Sequence, residues 1–393
     1  MESILLKDII QKPISGEWGL EDLYGTGIPV LRTANFTNEG IINFENVVTR
    51  NISPPKLKGK LLQKGDILLE KSGGSDRQPV GRVVYFDGQA DKYGFNNFTS
   101  ALRISDLTMW NPKYIFYALY ANYHHGGTRK YENKTTGLHN LKVDLFIRSF
   151  SVPYATLIKQ NEIVKKLDLL NHLENVCEVQ LQKLDELIKS RFIEMFGDPL
   201  AGNAKWPIHN LCMVADAIDP QPSHRTPPID ENGIPYVSIK DCDYNTGKID
   251  FEKARKVNVT VLQKHKTRYQ IHNGDMMIGK IGTIGYPVIL PTDETYTLSA
   301  NVILIQPNKF KVQPYFLKYS LESPYVESQF DKAKHSTSQS AFGILKLRKI
   351  KVMNPELSIQ NQFADFVHQV DKSKYREAIF LYLLEDIRIC CNI

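Results

Sequence analysis

The chain is poor in the residues that usually declare a chemistry. Among its 393 residues are five cysteines, Cys177, Cys212, Cys242, Cys390 and Cys391. Their number is odd, none stands in a C-x-x-C pattern, and no histidine falls at metal-ligand spacing. Neither a disulfide framework nor a zinc site is expected from such a set. No apolar run reaches the roughly eighteen residues that a membrane-spanning helix needs. Residues 1–10 lack the charged start and apolar core of a signal peptide. The expected location is the cytoplasm, with no membrane partner.

Catalytic signatures are missing as well. The run Gly279-Lys280-Ile281-Gly282-Thr283-Ile284-Gly285 lacks the spacing and the GK[ST] ending of a P-loop. Adenine methylases use Asn/Asp-Pro-Pro-Tyr/Phe; Asp219-Pro220-Gln221-Pro222 and Asn354-Pro355-Glu356 come nearest and neither fits. Asp66, Glu70 and Lys71 suggest a metal-dependent nuclease, but its last acid should precede the lysine by two residues, and here the two are adjacent. Asp66 and Asp275 read more simply as turn residues leading into strands. His124, His125 and His335 have no partner at i+4. Catalysis by this chain alone is not expected.

What the chain does have is a second copy of itself. Gly27-Ile28-Pro29-Val30 recurs as Gly233-Ile234-Pro235-Tyr236, and Lys64-Gly65-Asp66-Ile67-Leu68-Leu69 as Asn273-Gly274-Asp275-Met276-Met277-Ile278. Asn111-Pro112-Lys113-Tyr114 matches Val312-Gln313-Pro314-Tyr315, and Gln160-Asn161-Glu162-Ile163 matches Gln360-Asn361-Gln362-Phe363. The copies lie 206 residues apart at Gly27 and Gly233, 209 at Gly65 and Gly274, 202 at Pro112 and Pro314, and 200 at Gln160 and Gln360. So small a drift means one unit used twice with a few loop insertions. Two copies argue for a pseudo-twofold molecule and against a solenoid.

Each copy reads as a globular part followed by a helical part. The globular parts hold short β-type runs, such as 80–86 and 300–305, and a helix around 112–123 or 314–330. This is an α+β pattern whose loops carry function. Between the copies, steps of four and three connect Ile163, Leu167, Leu170, Glu174, Cys177, Leu181, Leu184, Ile188, Arg191 and Met195, a heptad seam with polar breaks. Some 40 residues at about 1.5 Å each make a rod of roughly 60 Å. Ile359, Phe363, Phe366 and Val370 offer a matching seam, and the two helices are expected to pair antiparallel. The expected divisions are 1–152 and 201–355 for the globular domains, with 153–200 and 356–393 as spacer helices. After Lys374 the second copy stops resembling the first; Ile379–Leu384 is apolar all round, as in an altered or truncated tail or an apolar docking helix.

The formal charge is only +6, but the cations are grouped. Lys332, Lys334, Lys346, Arg348, Lys349 and Lys351 fall in an acid-free stretch, and Lys253–Lys280 holds a single acid, Asp275. Lys56, Lys58, Lys60 and Lys64, and then Arg129, Lys130 and Lys134, do the same in the first copy. Positive blocks at related places in two copies favour a polyanion such as DNA. Two loop pairs follow equivalent strands or precede the last one: 71–77 with 280–285, and 126–137 with 332–340. Cations, hydroxyls and small residues in these loops suit phosphate and base-edge contacts.

In order and duplication these motifs resemble the specificity subunit of a type I restriction-modification system. So does the helix ending Arg191-Phe192-Ile193-Glu194-Met195-Phe196-Gly197-Asp198-Pro199. The resemblance covers about residues 10–374. It implies two target-recognition domains separated by two long antiparallel helices in a coiled coil, each domain reading half of a bipartite double-stranded DNA site. It further implies docking of methyltransferase subunits, two in number, and of restriction/translocase subunits. S-adenosylmethionine, ATP and Mg are then expected on those partners and not on this chain. Candidate DNA contacts are Lys71, Ser72, Arg77, Arg129, Lys130, Lys134, Lys280, Thr283, Lys334, Ser336 and Gln339. The alternatives are a protein–protein scaffold with incidental basic patches and a self-sufficient DNA-modifying enzyme.

Overall fold

The computed structural model describes residues 2–135, 138–223, 225–243, 246–280, 284–335 and 342–390, with the side chains of 134, 135, 138, 334, 335 and 385–390 excepted. It has mixed helix and sheet and forms two compact units: Met1–Val176 with Leu381–Ile393, and Cys177–Phe380. The boundary falls within a single helix, Leu157–Phe196, so the expected spacer at 153–200 is shared between the units.

In the first unit a four-stranded antiparallel sheet runs Ile14–Ser15, Thr99–Leu102, Ile67–Glu70, Val83–Tyr85. Along its inner strand Ile67 and Leu69 join a core with Ile115, Phe116 and Phe146 from the helices. Leu68 points the other way, into a second core with Leu31, Phe86 and Phe95. Both faces are covered, which is why this strand is apolar without alternation. A second sheet, Leu20–Glu21, Val48–Asn51, Ile28–Leu31, Gly94–Phe95, supplies the far wall, and its last pair is parallel.

The second unit repeats this plan. Ala215–Ile218, Val302–Pro307, Met276–Gly279 and Val288–Ile289 form its four-stranded sheet, and Arg255–Val257, Ile234–Val237, Thr297–Leu298 its companion, again with one parallel pair. Met276 and Ile278 face the helices while Met277 faces the companion sheet.

Three expectations are corrected. The polar stretch 126–137 is not a plain loop: Arg129–Tyr131 makes a 3-10 turn and Glu132–Thr135 a strand paired with Leu138–Leu141. Tyr131 anchors it, its ring 5.4 Å from that of Phe146. The expected helix at 314–330 is two, Pro314–Leu321 and Pro324–His335. Pro324 disfavours helical geometry at the residue before it, and the Ser323 hydroxyl donates to the Ser320 carbonyl at 2.7 Å. That second helix also takes in Lys332–His335, which the sequence reading gave to a loop. The helix Leu357–Cys390 falls within the span 356–393 expected for the second spacer helix and runs past Lys374 without interruption.

Every position of the predicted seam in the long helix is buried or half-buried. Within the second unit its partners ascend as it descends: Phe192 meets Phe363 edge to face, Arg191 lies over Phe366, Asp185 pairs with Lys374 and Cys177 meets Glu377. The two helices are therefore antiparallel there. The matching seam continues through Lys374, Glu377, Leu381 and Leu384, so its polar members fall where the partner helix offers Asp185 and a thiol.

The glutamine shared by the copies joins each globular part to its helix. Gln160 is fully buried; its Oε1 accepts from Asn111 N at 2.8 Å, and its Nε2 donates to the carbonyls of Met109 at 3.0 Å and Ala155 at 2.8 Å. Gln360 does the same with Gln313 N at 2.8 Å, Lys311 O at 3.3 Å and Pro355 O at 2.7 Å. Truncation orphans a buried N–H and strips two carbonyls of a donor. Gln160→Ala and Gln360→Ala should each lower stability by about 2–4 kcal/mol in urea unfolding. Hydrogen exchange should place the loss in the first unit for Gln160→Ala and in the second for Gln360→Ala.

Candidate nucleic-acid interface

In both units the candidate loops spring from a Gly-Asp turn. Gly65 and Gly274 hold φ of 96° and 90°, a region that glycine alone enters cheaply. The following acid closes the turn: Gln63 N donates to Asp66 Oδ2 at 2.8 Å, and His272 N to Asp275 Oδ2 at 2.8 Å. Arg103 then grips both oxygens of Asp66, at 2.8 and 2.7 Å, while Gln306 Nε2 donates to Asp275 at 2.6 Å. These acids act in folding, as the turn reading expected, and Asp66 is tied to a guanidinium.

Past the strand the two copies remain in register. Lys71 N donates to Phe98 O and Lys280 N to Asn301 O, so the two lysines are equivalent. The second loop of each pair meets the first at this residue: Leu141 N donates to Lys71 O at 2.8 Å, and Phe342 N to Lys280 O at 2.9 Å. The two candidate loops of each unit, far apart in sequence, thus converge on one hydrogen bond. In the first unit they merge further, since Ser72–Gly74 pairs with Leu138–Leu141 and Ser72 Oγ donates to Asn140 Oδ1 at 2.6 Å.

The lysines themselves differ. Lys71 is half-buried and donates to Ser15 Oγ at 2.8 Å; burial pulls its pKa below the usual lysine value. Lys280 is 6% exposed, with Nζ 2.7 Å from Asp219 Oδ2 and 3.1 Å from the Ala300 carbonyl. It is thus an internal ion pair and not a surface cation. Ser15 and Asp219 occupy the same place, because Ile14 faces Ala101 as Ile218 faces Leu304 in the matched sheets.

Of the remaining candidates, Arg77, Arg129 and Lys130 are exposed, with Lys130 Nζ 5.1 Å from the Tyr131 ring centre. Lys134 lies in the strand facing His139, and Lys334 in the last turn of a helix; their side chains are outside those described. Thr283, Ser336 and Gln339 lie outside the described residues.

The structure shows two buried polar groups here, His139, which the sequence reading passed over, and Glu70, which it weighed only as a nuclease acid. His139, 6% exposed, has Nδ1 3.2 Å from Glu132 Oε2 and Nε2 3.7 Å from Asp76 Oδ1, while Glu132 Oε1 accepts from Val80 N. This ties the 72–80 loop to the hairpin. Glu70, 4% exposed, faces Arg82 across the sheet, with Nε and Oε2 3.3 Å apart. Burial raises the Glu70 pKa, against the pull of the guanidinium. The available signal was a charged residue ending an otherwise apolar strand on each side of one antiparallel pair.

Residues 227–378, inside the second unit, match the family described as Type I restriction modification DNA specificity domain. Over that segment the chain is similar to type I restriction-modification specificity subunits. It is 29% identical over 147 residues to the MjaX type I restriction enzyme specificity subunit of Methanocaldococcus jannaschii, covering 36% of this chain and 34% of that one. With the EcoBI specificity subunit of Escherichia coli the identity is 23% over 140 residues, 36% of this chain and 29% of the relative. The matched region therefore spans about a third of the curated relatives' length. The S subunit of the M. genitalium type I restriction-modification system shares the fold, with TM-score 0.60 and 14% identity over 100% of this chain and 94% of that one. A chain from a structure of type I R-M complex assembly and conformational transition gives TM-score 0.54 and 16% identity over 98% and 95%.

The two lysine sites should respond differently to loss of their partners. Asp219→Ala leaves a buried ammonium uncompensated and should cost the second unit about 3 kcal/mol or more. Ser15→Ala should cost the first about 1 kcal/mol. Urea midpoints of the two variants against the parent check the order.

Proposed function

We propose that the chain is the DNA-reading component of a type I restriction-modification complex, each unit recognising one half of a two-part site while partner subunits carry out the chemistry. The observation that carries this reading is a shared frame with unlike loop ends. The Gly-Asp turn, the sheet registers and the loop-joining hydrogen bond recur in both units. The side chains beyond them do not: Glu70 answers to Gly279, and Ser15 to Asp219. A common frame with different tips is what two readers of different half-sites require.

In this reading, exposed Arg77, Arg129 and Lys130 set the register on phosphates, and neighbouring side chains test base edges. The relatives are named as specificity subunits of type I restriction enzymes, and by that analogy methyltransferase subunits, two in number, and restriction/translocase subunits dock on this chain. Exposed apolar side chains on the long helices, among them Leu169, Val179, Leu187 and Tyr382, suit such docking. S-adenosylmethionine, ATP and Mg belong to those partners, and the complex works in the cytoplasm. Among the described residues no helix is long and apolar enough to cross a membrane.

Mapping methylated bases in DNA from cells that carry the system, before and after one unit is replaced by that of a relative, tests the reading. The recognised sequence should change in one half only; a change in both halves, or in neither, counts against it. Removing one exposed cation, as in Arg129→Ala, should weaken binding to all sequences alike. It should also flatten the plot of log affinity against log salt by about one unit.

A further inference from the structure

In each unit a short turn leads into the strand Thr99–Leu102 or Val302–Pro307. In the first, Asn96 N donates to Leu31 O at 2.9 Å, Thr99 N to Asn96 O at 3.2 Å and Lys71 N to Phe98 O at 2.9 Å. The second repeats the pattern: Ser299 N to Val237 O at 2.8 Å, Val302 N to Ser299 O at 3.4 Å, Lys280 N to Asn301 O at 2.8 Å. A hydroxyl tightens each turn. Thr99 Oγ1 donates to Asn96 O at 2.9 Å, and Ser299 Oγ accepts from Asn301 N at 3.3 Å. Phe98 and Asn301 therefore occupy one position, on backbone held from both sides.

That position faces solvent. Asn96, Thr99, Ser299 and Val302 are buried, whereas Phe98 is 51% exposed and Asn301 is exposed. Among the described residues the Phe98 ring meets no other ring and the Asn301 side-chain amide makes no hydrogen bond. One turn accepts a phenyl ring and its twin an amide, so the fold dictates neither. A single exposed ring is ordinary on a protein surface; its surroundings distinguish this one. A line of backbone hydrogen bonds runs from Lys142 N to Tyr131 O, Leu141 N to Lys71 O and Lys71 N to Phe98 O. It joins the exposed cations Arg129 and Lys130 to the exposed ring, with the start of the 71–77 loop between them. In the second unit Phe342 N to Lys280 O and Lys280 N to Asn301 O make the corresponding line. The strand Ile67–Glu70 separates this line from the Gly-Asp turn, which lies against Pro112 at the other end of the sheet.

We propose that Phe98 and Asn301 are specificity-determining residues, one in each unit. The Phe98 ring packs against the 5-methyl group of a thymine, and the Asn301 amide pairs with N6 and N7 of an adenine. These are the major-groove features that a phenyl ring and an amide recognise, one by apolar contact and the other by two hydrogen bonds. Cations for phosphates beside one group suited to a base edge match the division of labour in DNA reading. The inference deepens the DNA-reading function proposed above and rests on it.

The test uses the full chain in complex with its methyltransferase subunits, incubated with a randomised duplex library from which bound DNA is recovered and sequenced. Phe98→Ala should relax selection at one position of one half-site. Asn301→Ala should relax one position of the other half by about tenfold. Base analogues then probe the contacts in the selected sequence. Deoxyuridine in place of the thymine removes only the methyl group and should weaken binding by the parent about fourfold, with no effect on Phe98→Ala. Deaza-adenine lacking N7 should weaken the parent and leave Asn301→Ala unaffected. Phe98→Asn installs the side chain that the sister turn already carries, so it guards against a folding artefact. It should abolish the response to deoxyuridine with the urea midpoint near that of the parent. Parental binding indifferent to either analogue at every position overturns that residue's assignment. A single substitution that alters both half-sites overturns the proposal while DNA reading stands. If the parent itself enriches no sequence, the DNA-reading function fails and the proposal falls with it.

Discussion

Two buried glutamine side chains hold the architecture together. Gln160 and Gln360 each saturate an amide in the segment 109–111 or 311–313 and, with the same side chain, a carbonyl just before a long helix. A side chain that is both donor and acceptor in a dry site has one orientation that satisfies all partners. The direction in which each helix leaves its globular part is set by that orientation. The helix after residue 111 or 313 starts from the same junction, Asn111 or Gln313 capping its first turn. The Gly-Asp turn lies against the proline that opens it: a methyl group at Gly274 would come within 2.5 Å of Pro314 Cγ. Turn, helix start and spacer start thus move as one piece.

On that rigid junction the two units can afford to differ where it matters. Lys71 and Lys280 share a backbone position, yet one meets a hydroxyl and the other a carboxylate. Glu70 and Gly279 share another, with an ion pair on one side and an aromatic ring on the other. The hairpin Glu132–Leu141 joins the 71–77 loop in the first unit through a three-stranded sheet, whereas a helix, Pro324–His335, leads into the corresponding segment of the second. These substitutions change charge, shape and hydrogen-bonding sense without disturbing the sheets beneath.

Much of this was legible in the sequence because the features that build the frame are local or periodic. The duplicated Gly-Asp and Gln-Asn pairs, the apolar strands and the seam from Ile163 to Met195 all left periodic or repeated marks. The site was less legible for three reasons. Lys280 reads as a loop cation because its partner, Asp219, is 61 residues away in sequence and brought close only by sheet pairing. The strand Glu132–Thr135 is polar throughout, and only pairing with its own hairpin distinguishes it from a loop. Glu70 and Arg82 look like incidental charges until antiparallel register places them side by side. In each case the missing information was a contact between distant segments, which propensity does not encode.

The polar members of the helix seam have one more effect. With Lys374 against Asp185, a heptad slide toward the helix end would bring the ammonium level with Arg191 and buried Phe192, a like charge and an apolar ring. Apolar seams alone tolerate such slippage, whereas a charge keyed to one opposing acid does not. The pair therefore works like a notch on a sliding scale, admitting one reading of length and no neighbouring one.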